Sequence, residues 1–394
     1  MKSTSITCRA LALAVVLAAS ACTAPVQPRS AVPASPTPRP SGVAALPAPT
    51  GRHPVGHDIL HLTDRSRTDP WEPAAGARAL RVTLWYPART REGAAAPYMS
   101  AKESELLLKG GRVGTAAAWD VLSRTRTHAI KDAPPAGEPG SLPLVVLSPG
   151  WTKPVGTLTA LAEELASQGY VVAGIDHTYE SYATTLADGR IAECVACDFD
   201  TDFGFQSRVV RSRAADVSFV LDRLTGSAWT GSGLIDPGRI AMVGQSLGGA
   251  STIAAMTGDP RVRAGVNMDG TTYARIPKTG LARPVLFLGN PAHTPGGRDL
   301  SWERDWKLLT GWKRWLVFSG GEHQSFTDTP LMGTALGLSS TAVLTGPRAV
   351  ELTRTYVTAF LDRHLRDRPG PLLEGRSAAY PEVTFCSVAA KSCR

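Results

Sequence analysis

The chain has 394 residues and a formal net charge of +8, from 42 lysines and arginines against 34 aspartates and glutamates. Its basic residues are scattered, with neither a basic helix nor a basic run interleaved with aromatic residues, so the sequence argues against a nucleic-acid partner. The apolar fraction of 43% is ordinary for a globular protein, and the length allows one large domain or two smaller ones.

The first residues have the layout of an export signal. Lys2 and Arg9 form a short positive segment, and residues 11–19 form an apolar stretch that is too short to span a bilayer comfortably. Small residues then lead into Cys22, which resembles a bacterial lipobox, where the cysteine becomes the lipidated first residue. We therefore assign 1–21 to a signal peptide. We expect an exported protein, either a cell-surface lipoprotein or, after ordinary cleavage, a secreted one.

Residues 22–50 consist mainly of proline, alanine, serine and threonine, with almost no large apolar side chain. Such a segment buries too little surface to offset the entropy lost on ordering, and its prolines favour an extended chain. We expect a stiff tether, with membrane association through lipid on Cys22. The tether would hold a folded domain, residues 51–394, away from the membrane or cell wall.

From about residue 55 onward, short apolar runs alternate with segments of helical periodicity. This alternation is typical of an α/β fold with a mainly parallel central sheet flanked by helices. It predicts strands at 59–62, 80–86, 144–147, 170–175, 240–243, 266–268, 285–288 and 315–318. It predicts helices at 158–167, 210–224, 248–256 and 350–365.

An insertion at about 101–135 does not fit the alternation of strands and helices. Helical stretches are predicted within it at 104–108 and 116–122. The insertion is interpreted either as a cap over the functional site or as surface decoration.

Four cysteines remain beyond the signal and Cys22, an even number that predicts two disulfides in an exported protein. Local pairing is the simplest of the three connectivities, joining Cys194 to Cys197 and Cys386 to Cys393. A C-x-x-C pair can also bind zinc or serve redox chemistry. Here no second pair and no nearby histidine completes a metal site, so a structural staple is favoured.

Residues 244–249 read Gly-Gln-Ser-Leu-Gly-Gly, a G-x-S-x-G motif between an apolar strand and a helix of small residues. The motif needs a sharp turn that presents the serine at the edge of the sheet, and glycines let strand and helix pass closely. The helix N-terminus behind the serine also stabilises developing negative charge. The pattern predicts Ser246 as a nucleophile.

A serine nucleophile needs a histidine base and an acid, which follow it in the chain in this type of fold. Three histidines follow Ser246. His323 lies in a glycine-rich loop directly after the last predicted strand and is favoured over His293, in a loop rich in proline and glycine, and over His364, in the final helix.

The acid has more than one candidate. Asp269 directly follows the strand at 266–268, where its backbone is fixed. Asp299 and Asp305 follow the next strand, the more usual position for the acid, but they lie well beyond its end. The local argument favours Asp269.

An oxyanion hole requires two backbone N–H groups. Leu247, the residue after the nucleophile, and Trp151, in the loop after the strand at 144–147, are the expected donors. Gly150 lets that loop turn close to the substrate.

Four stretches together resemble the plasma-type platelet-activating factor acetylhydrolase family of α/β-hydrolases and its bacterial relatives. They comprise residues 143–151 (PLVVLSPGW) together with 161–174, the nucleophile motif at 244–249, the acid segment at 267–270, and GEHQSF at 321–326. In that family the acid follows the strand immediately after the nucleophile helix, which adds support for Asp269. The family's oxyanion-loop histidine is replaced here by Pro149.

The resemblance implies hydrolysis of short or oxidised acyl esters, including phospholipid-like ones, by Ser246, Asp269 and His323 without metal or organic cofactor. It also suggests that His177 lines the pocket, although a structural histidine is the favoured interpretation. A lipase, a polyester hydrolase or a serine peptidase would use the same chemistry. A binding lipoprotein that has lost catalysis is the alternative from another functional class.

Overall fold

The computed structural model describes residues 44–114, 118–338 and 343–394. Its strands are β1 (Val55–Thr68), β2 (Ala77–Pro87), β3 (Ile130–Lys131), β4 (Leu142–Ser148), β5 (Val171–Asp176), β6 (Thr184–Thr185), β7 (Ile191–Ala192), β8 (Ile235–Gln245), β9 (Val262–Met268), β10 (Val285–Gly289), β11 (Lys313–Phe318), β12 (Val383–Ser387) and β13 (Ser392–Cys393). Its α-helices are α1 (Ala101–Gly110), α2 (Thr159–Ser167), α3 (Phe205–Leu224), α4 (Leu247–Gly258), α5 (Ser301–Trp306), α6 (Thr329–Ala335) and α7 (Gly346–Arg366).

One 11-stranded sheet runs through the described chain in the order β13-β12-β11-β10-β9-β8-β4-β5-β2-β1-β3. Strands β5, β4, β8, β9, β10 and β11 pair in parallel, whereas β2 joins β5, and β12 joins β11, in antiparallel fashion. Strands β6 and β7 form a separate small hairpin. The mainly parallel sheet predicted from the alternating pattern is therefore confirmed.

Helices cover both faces of the sheet, as the continuous apolar strands require. On β4, Val145 and Leu147 face a buried cluster that includes Leu161 of α2 and Phe360 of α7. The alternate residues of β4 face the opposite cluster, to which α3 and α4 contribute. The parallel strands consequently end at one common edge, where the segments following β4, β8, β9, β10 and β11 meet.

Every strand and helix predicted outside the insertion is present, and both predicted disulfides have the local pairing. The hairpin of β12 and β13, closed by Cys386–Cys393, was not anticipated. Within the insertion, α1 is present, but the helix predicted at 116–122 was wrong in extent. Residues 115–117 lie outside the described residues, and the following part forms only a 3-10 turn at Val121–Arg124.

The insertion packs on the body of the domain. Leu107 and Leu108 of α1 share a buried apolar cluster with Met332 of α6, the helix that follows the segment of His323. Glu103 accepts hydrogen bonds from Arg81 of β2 and from Thr185. The insertion is thus fixed by both apolar and ionic contacts.

The last seven residues of the expected tether, 44–50, pack on the domain, so the boundary placed at residue 50 is shifted. Leu46 is only 3% exposed, and its N–H donates to the carbonyl of Arg126 at 3.0 Å. The buried guanidinium of Arg354 donates to the carbonyls of Pro47 and Ala48. Thr50 donates from both its N–H and its hydroxyl to Glu164. The signal peptide, Cys22 and the earlier part of the tether lie outside the described residues.

No α-helix in the described ranges combines the length and apolar character needed to cross a membrane.

The packing of residues 44–50 makes a stability prediction. The test compares the urea unfolding of a chain that begins at residue 44 with that of a chain that begins at residue 51. A chain that begins at residue 51 should lose about 3 kcal/mol, because it exposes the site of Leu46 and leaves Arg354 without two acceptors. Equal midpoints for the chains beginning at 44 and 51 would contradict the shifted boundary.

Candidate active site

Ser246 occupies a strained turn between β8 and α4. Its backbone angles, φ 56° and ψ −121°, are rarely adopted by residues with side chains and cost about 1–3 kcal/mol. The turn is held by the Ser246 N–H, which donates to the Met268 carbonyl at 2.8 Å. Gly248 is needed behind it, because a Cβ there would lie 2.0 Å from the Ser148 carbonyl oxygen. The sequence thus places Ser246 at the sheet edge through local sterics.

Asp269 is the first residue after β9 and is 1% exposed. Its N–H donates to the Leu288 carbonyl at 2.7 Å, which fixes its backbone between β9 and β10. The carboxylate accepts hydrogen bonds from the N–H and side-chain amide of Asn290, and from one imidazole on each oxygen. Burial raises the pKa of a carboxyl group, but the hydrogen bonds from His293 and His323 outweigh it and lower the pKa of Asp269.

His323 follows β11 and opens a short 3-10 helix, His323–Phe326. Its Nδ1 lies 2.5 Å from Oδ2 of Asp269, and its side chain is 46% exposed. Gln245, the residue before the nucleophile, donates from its side-chain amide to the His323 carbonyl at 2.9 Å. This bond joins the strand of Ser246 directly to the loop of His323, a contact for which the sequence carried no signal.

The structure brings the rejected candidates His293 and Asp299 into the same cluster. Nδ1 of His293 lies 2.8 Å from Oδ1 of Asp269, and its Nε2 lies 3.0 Å from Oδ2 of Asp299. Both ring nitrogens are therefore occupied by carboxylates, and neither is available to take a proton from Ser246. Burial opposes a charge on the ring, but the two carboxylates raise the pKa of His293 to about 9.

The two remaining candidates lie elsewhere. Asp305 is buried and accepts hydrogen bonds from Thr272 and Arg304. His364 packs in α7 against the ring of Trp312, with the ring centroids 4.5 Å apart. Both have structural surroundings that account for them.

The two expected oxyanion donors follow β4 and β8. Leu247 opens α4, whose first N–H groups have no acceptor within the helix. Trp151 follows Gly150, and its indole packs edge-on against Phe205 with the ring centroids 5.0 Å apart. A Cβ on Gly150 would lie 3.3 Å from the Cβ of Ser246, so the loop passes directly beside Ser246.

A second Ser-His-Asp array lies beneath this loop. Oγ of Ser148 lies 3.0 Å from Nε2 of His177, and Nδ1 of His177 lies 2.8 Å from Oδ2 of Asp216. All three residues are at most 2% exposed, so substrate cannot reach them. Burial, reinforced by Arg213, lowers the pKa of His177. The imidazole is therefore neutral, donating to Asp216 and accepting from Ser148.

This buried array anchors the loop after β4 from behind. The guanidinium of Arg213 donates to the Pro149 carbonyl at 2.6 Å and pairs with Glu180 at 2.7 Å. Arg78, itself fully buried, binds both oxygens of Asp216. His177 is thus a structural residue, as the sequence favoured, and it does not line a pocket. In the described parts of the chain, no group of three or more His, Cys, Asp or Glu side chains is arranged to hold a metal ion.

Comparison with known proteins relates this arrangement to esterases. A ferulic acid esterase from Streptomyces cinnamoneus has a similar structure, with a TM-score of 0.78, 46% identity, and coverage of 87% of this chain and 99% of the esterase. Residues 40–222 match the family described as platelet-activating factor acetylhydrolase, isoform II. The matched residues, which run from before β1 into α3, are thus similar to this family.

Two curated relatives are also named as an esterase or an acetylhydrolase. A probable 1-alkyl-2-acetylglycerophosphocholine esterase from Arthroderma benhamiae is 29% identical over 375 residues, 86% of this chain and 93% of the relative. The platelet-activating factor acetylhydrolase of Bos taurus is 24% identical over 293 residues, 65% of this chain and 61% of the bovine protein. The chain is a serine hydrolase of carboxylic esters, and its fold is the α/β-hydrolase fold.

The close passage of Gly150 beside the nucleophile can be tested. In Gly150→Ala the new Cβ would lie 2.3 Å from Oε1 of Gln245 and 3.3 Å from Cβ of Ser246, so either the loop or the buried amide of Gln245 must move. We expect kcat/KM for p-nitrophenyl acetate to fall roughly 10- to 100-fold, because small displacements in a site are costly. Gly233→Ala, where an added Cβ meets no atom within 4 Å, is the matched control. Rates within about twofold of wild type for Gly150→Ala would contradict a role of the Gly150 loop in catalysis.

The charge on His293 predicts a pH-dependent stability. Its pKa is raised from 6.5 to about 9 in the folded protein, so its contribution is complete below pH 6.5 and is lost as the pH rises through about 9. The loss should be about 3 kcal/mol. Urea unfolding of wild type and His293→Gln at about pH 6 and about pH 10 measures it. A difference between the two proteins that does not change with pH would argue against a charged His293.

Proposed function

We propose that Ser246, His323 and Asp269 form the catalytic triad of an exported esterase that cleaves short or oxidised acyl esters. The observation that carries the proposal is the 2.5 Å contact between Nδ1 of His323 and the ionised, buried Asp269, beside a serine on a strained turn. This contact fixes the tautomer of His323, because Nδ1 must donate to the carboxylate. Nε2 is then the basic nitrogen.

The reaction proceeds through an acyl-enzyme. Oγ of Ser246 attacks the ester carbonyl carbon while Nε2 of His323 takes the hydroxyl proton. The bond to the alcohol oxygen breaks, and the proton passes from Nε2 to that oxygen, so a neutral alcohol leaves. Water then attacks the acyl-serine, again giving a proton to His323. This proton returns to Oγ as the carboxylic acid is released.

The negative oxygen of each tetrahedral intermediate would be stabilised by the N–H groups of Leu247 and Trp151. One such donor is worth about 3 kcal/mol of transition-state stabilisation. Gln245 joins the end of β8 to the loop after β11, and Arg213 of α3 holds the loop after β4, so both support these donors. Asp269 supports the imidazolium that forms on His323.

The substrate class rests on the site and on the names of the relatives. The side chain of His323 is 46% exposed, so an ester substrate can reach the base from solvent. The fungal and bovine relatives carry the names of enzymes acting on acetylated phospholipids, which favours a short acyl group on a phospholipid-like alcohol. A second candidate is a hydroxycinnamic ester, which the 46% identical ferulic acid esterase favours.

The same proposal includes the organisation of the chain. Residues 1–21 form a signal peptide, Cys22 carries a lipid anchor, and a tether leads to the catalytic domain, which includes residues 44–50. The sequence around Cys22 and the proline-rich composition before residue 44 support this assignment. Release as a secreted protein is its alternative.

Hydrolysis of p-nitrophenyl esters from acetate to palmitate, together with methyl ferulate, tests the proposal. We expect the highest kcat/KM on the shortest acyl chains and a fall of about tenfold or more toward palmitate. Ser246→Ala should lower every rate at least about 10⁴-fold. His61→Asn, an exposed histidine on β1, is the matched control and should leave the rates unchanged.

Each other outcome has a distinct meaning. Undiminished activity on palmitate contradicts the short-acyl class and favours a lipase, whereas a dominant rate on methyl ferulate favours the hydroxycinnamic class. Full activity in Ser246→Ala contradicts the triad. No activity on any ester, in folded protein with both disulfides formed, contradicts the proposed function.

A further inference from the structure

His293 bridges two carboxylates at the edge of the sheet. Its Nδ1 faces Asp269 at 2.8 Å and its Nε2 faces Asp299 at 3.0 Å. Ionised carboxylates only accept hydrogen bonds, so both ring nitrogens must carry a hydrogen. The geometry therefore requires an imidazolium at this position.

The ring of His293 cannot turn away from this bridge. It stacks on the buried indole of Trp302, with the ring centroids 4.5 Å apart and the planes inclined by 21°. Its backbone is also held, because His293 N–H donates to the Asn290 carbonyl and Trp315 donates to the His293 carbonyl at 2.8 Å. A cation stacked on an indole face gains further stabilisation.

Asp299 is likewise fixed in place. Oδ2 accepts from the hydroxyl of Thr271 at 2.5 Å, and Oδ1 accepts from the N–H of Ser301 at 2.8 Å. These contacts, together with His293, lower the pKa of Asp299 despite its partial burial. Tyr273 and Arg304 also interact electrostatically with Asp299.

The four groups form one continuous chain, His323–Asp269–His293–Asp299. Its two imidazoles bind different oxygens of Asp269, so the carboxylate cannot rotate without breaking one of these bonds. Two negative carboxylates and one imidazolium give the chain a charge of −1 when His323 is neutral. Transfer of the Ser246 proton to His323 brings the chain to zero, which is favourable in a poorly solvated site.

We propose that His293 is a positioning residue, an imidazolium that fixes Asp269 and, balanced by Asp299, sets the pH range in which His323 acts as the base. The inference rests on the proposed triad and adds two residues to it. His293 and Asp299 act through Asp269 and do not touch the substrate.

Two substitutions test the proposal, one that removes the positive charge of His293 and one that removes the negative charge of Asp299. His293→Asn retains a donor toward Asp269 but removes the cation, so the acid limb of the kcat/KM profile should move about one unit to higher pH. Asp299→Asn removes an anion, so the same limb should move to lower pH. In His293→Asn we also expect kcat to fall roughly 10-fold with KM changed less than about twofold.

His293→Gln separates the loss of the hydrogen bond that holds Asp269 from the loss of the positive charge. Its amide can reach the place of Nε2, near Asp299, but cannot replace the bond to Asp269. Its kcat should therefore be lower than that of His293→Asn, by roughly another tenfold. A merely structural role would lower activity without moving the acid limb in opposite directions in His293→Asn and Asp299→Asn.

The outcomes separate this inference from the triad itself. Acid limbs that coincide with wild type in both His293→Asn and Asp299→Asn overturn the inference, provided that Ser246→Ala is inactive. Full activity in Ser246→Ala overturns the triad instead. If the variants do not fold, ¹⁵N NMR of histidine-labelled wild type decides. We expect two protonated nitrogens on His293 at about pH 7.5, and one unprotonated nitrogen there contradicts the proposal.

Discussion

Asp269 carries its charge at the carboxyl end of β9 with only 1% of its surface exposed, and the reactive edge of the sheet is built around the compensation of that charge. A buried carboxylate is stable only when hydrogen bonds replace the lost water. Asn290, His293 and His323 supply them from the segments after β10 and β11. Asp269 thus binds side chains from loops that are far apart in the sequence. The hydrogen bond to its carboxylate holds His323 in place.

The same edge of the sheet contains a second cluster of buried charged residues, in which the histidine is neutral and not protonated. Around His177, two buried arginines pair with the carboxylates of Asp216 and Glu180, and burial, reinforced by Arg213, lowers the pKa of the imidazole, which stays neutral. Around His293, no arginine in the described ranges forms an ion pair with Asp269, and the imidazole itself carries the positive charge. A histidine bonded to aspartate is therefore neutral in the cluster of His177 and is a cation in the cluster of His293.

Much of this structure follows from sequence pattern, because the strands that end at the site are continuous apolar runs with fixed spacing to their loops. Ser246 and Asp269 directly follow strands and could be placed by local rules. His293 and Asp299 could not, since their loop is long and their partners come from other segments. Residues 44–50 were missed because this weakly apolar segment is ordered by tertiary contacts, such as those with Arg354. The hairpin β12–β13 was missed because its strands are also weakly apolar and are held by Cys386–Cys393.

The buried Ser148–His177–Asp216 array shows that residue type and hydrogen bonding alone do not make a reactive serine. Ser148 has an imidazole partner at 3.0 Å, but the array is closed to solvent and its histidine has no open route to a proton donor other than the hydroxyl it already binds. A phosphonate reagent that modifies activated serines should therefore titrate one site per chain. Its stoichiometry counts accessible nucleophiles, not serine–histidine pairs.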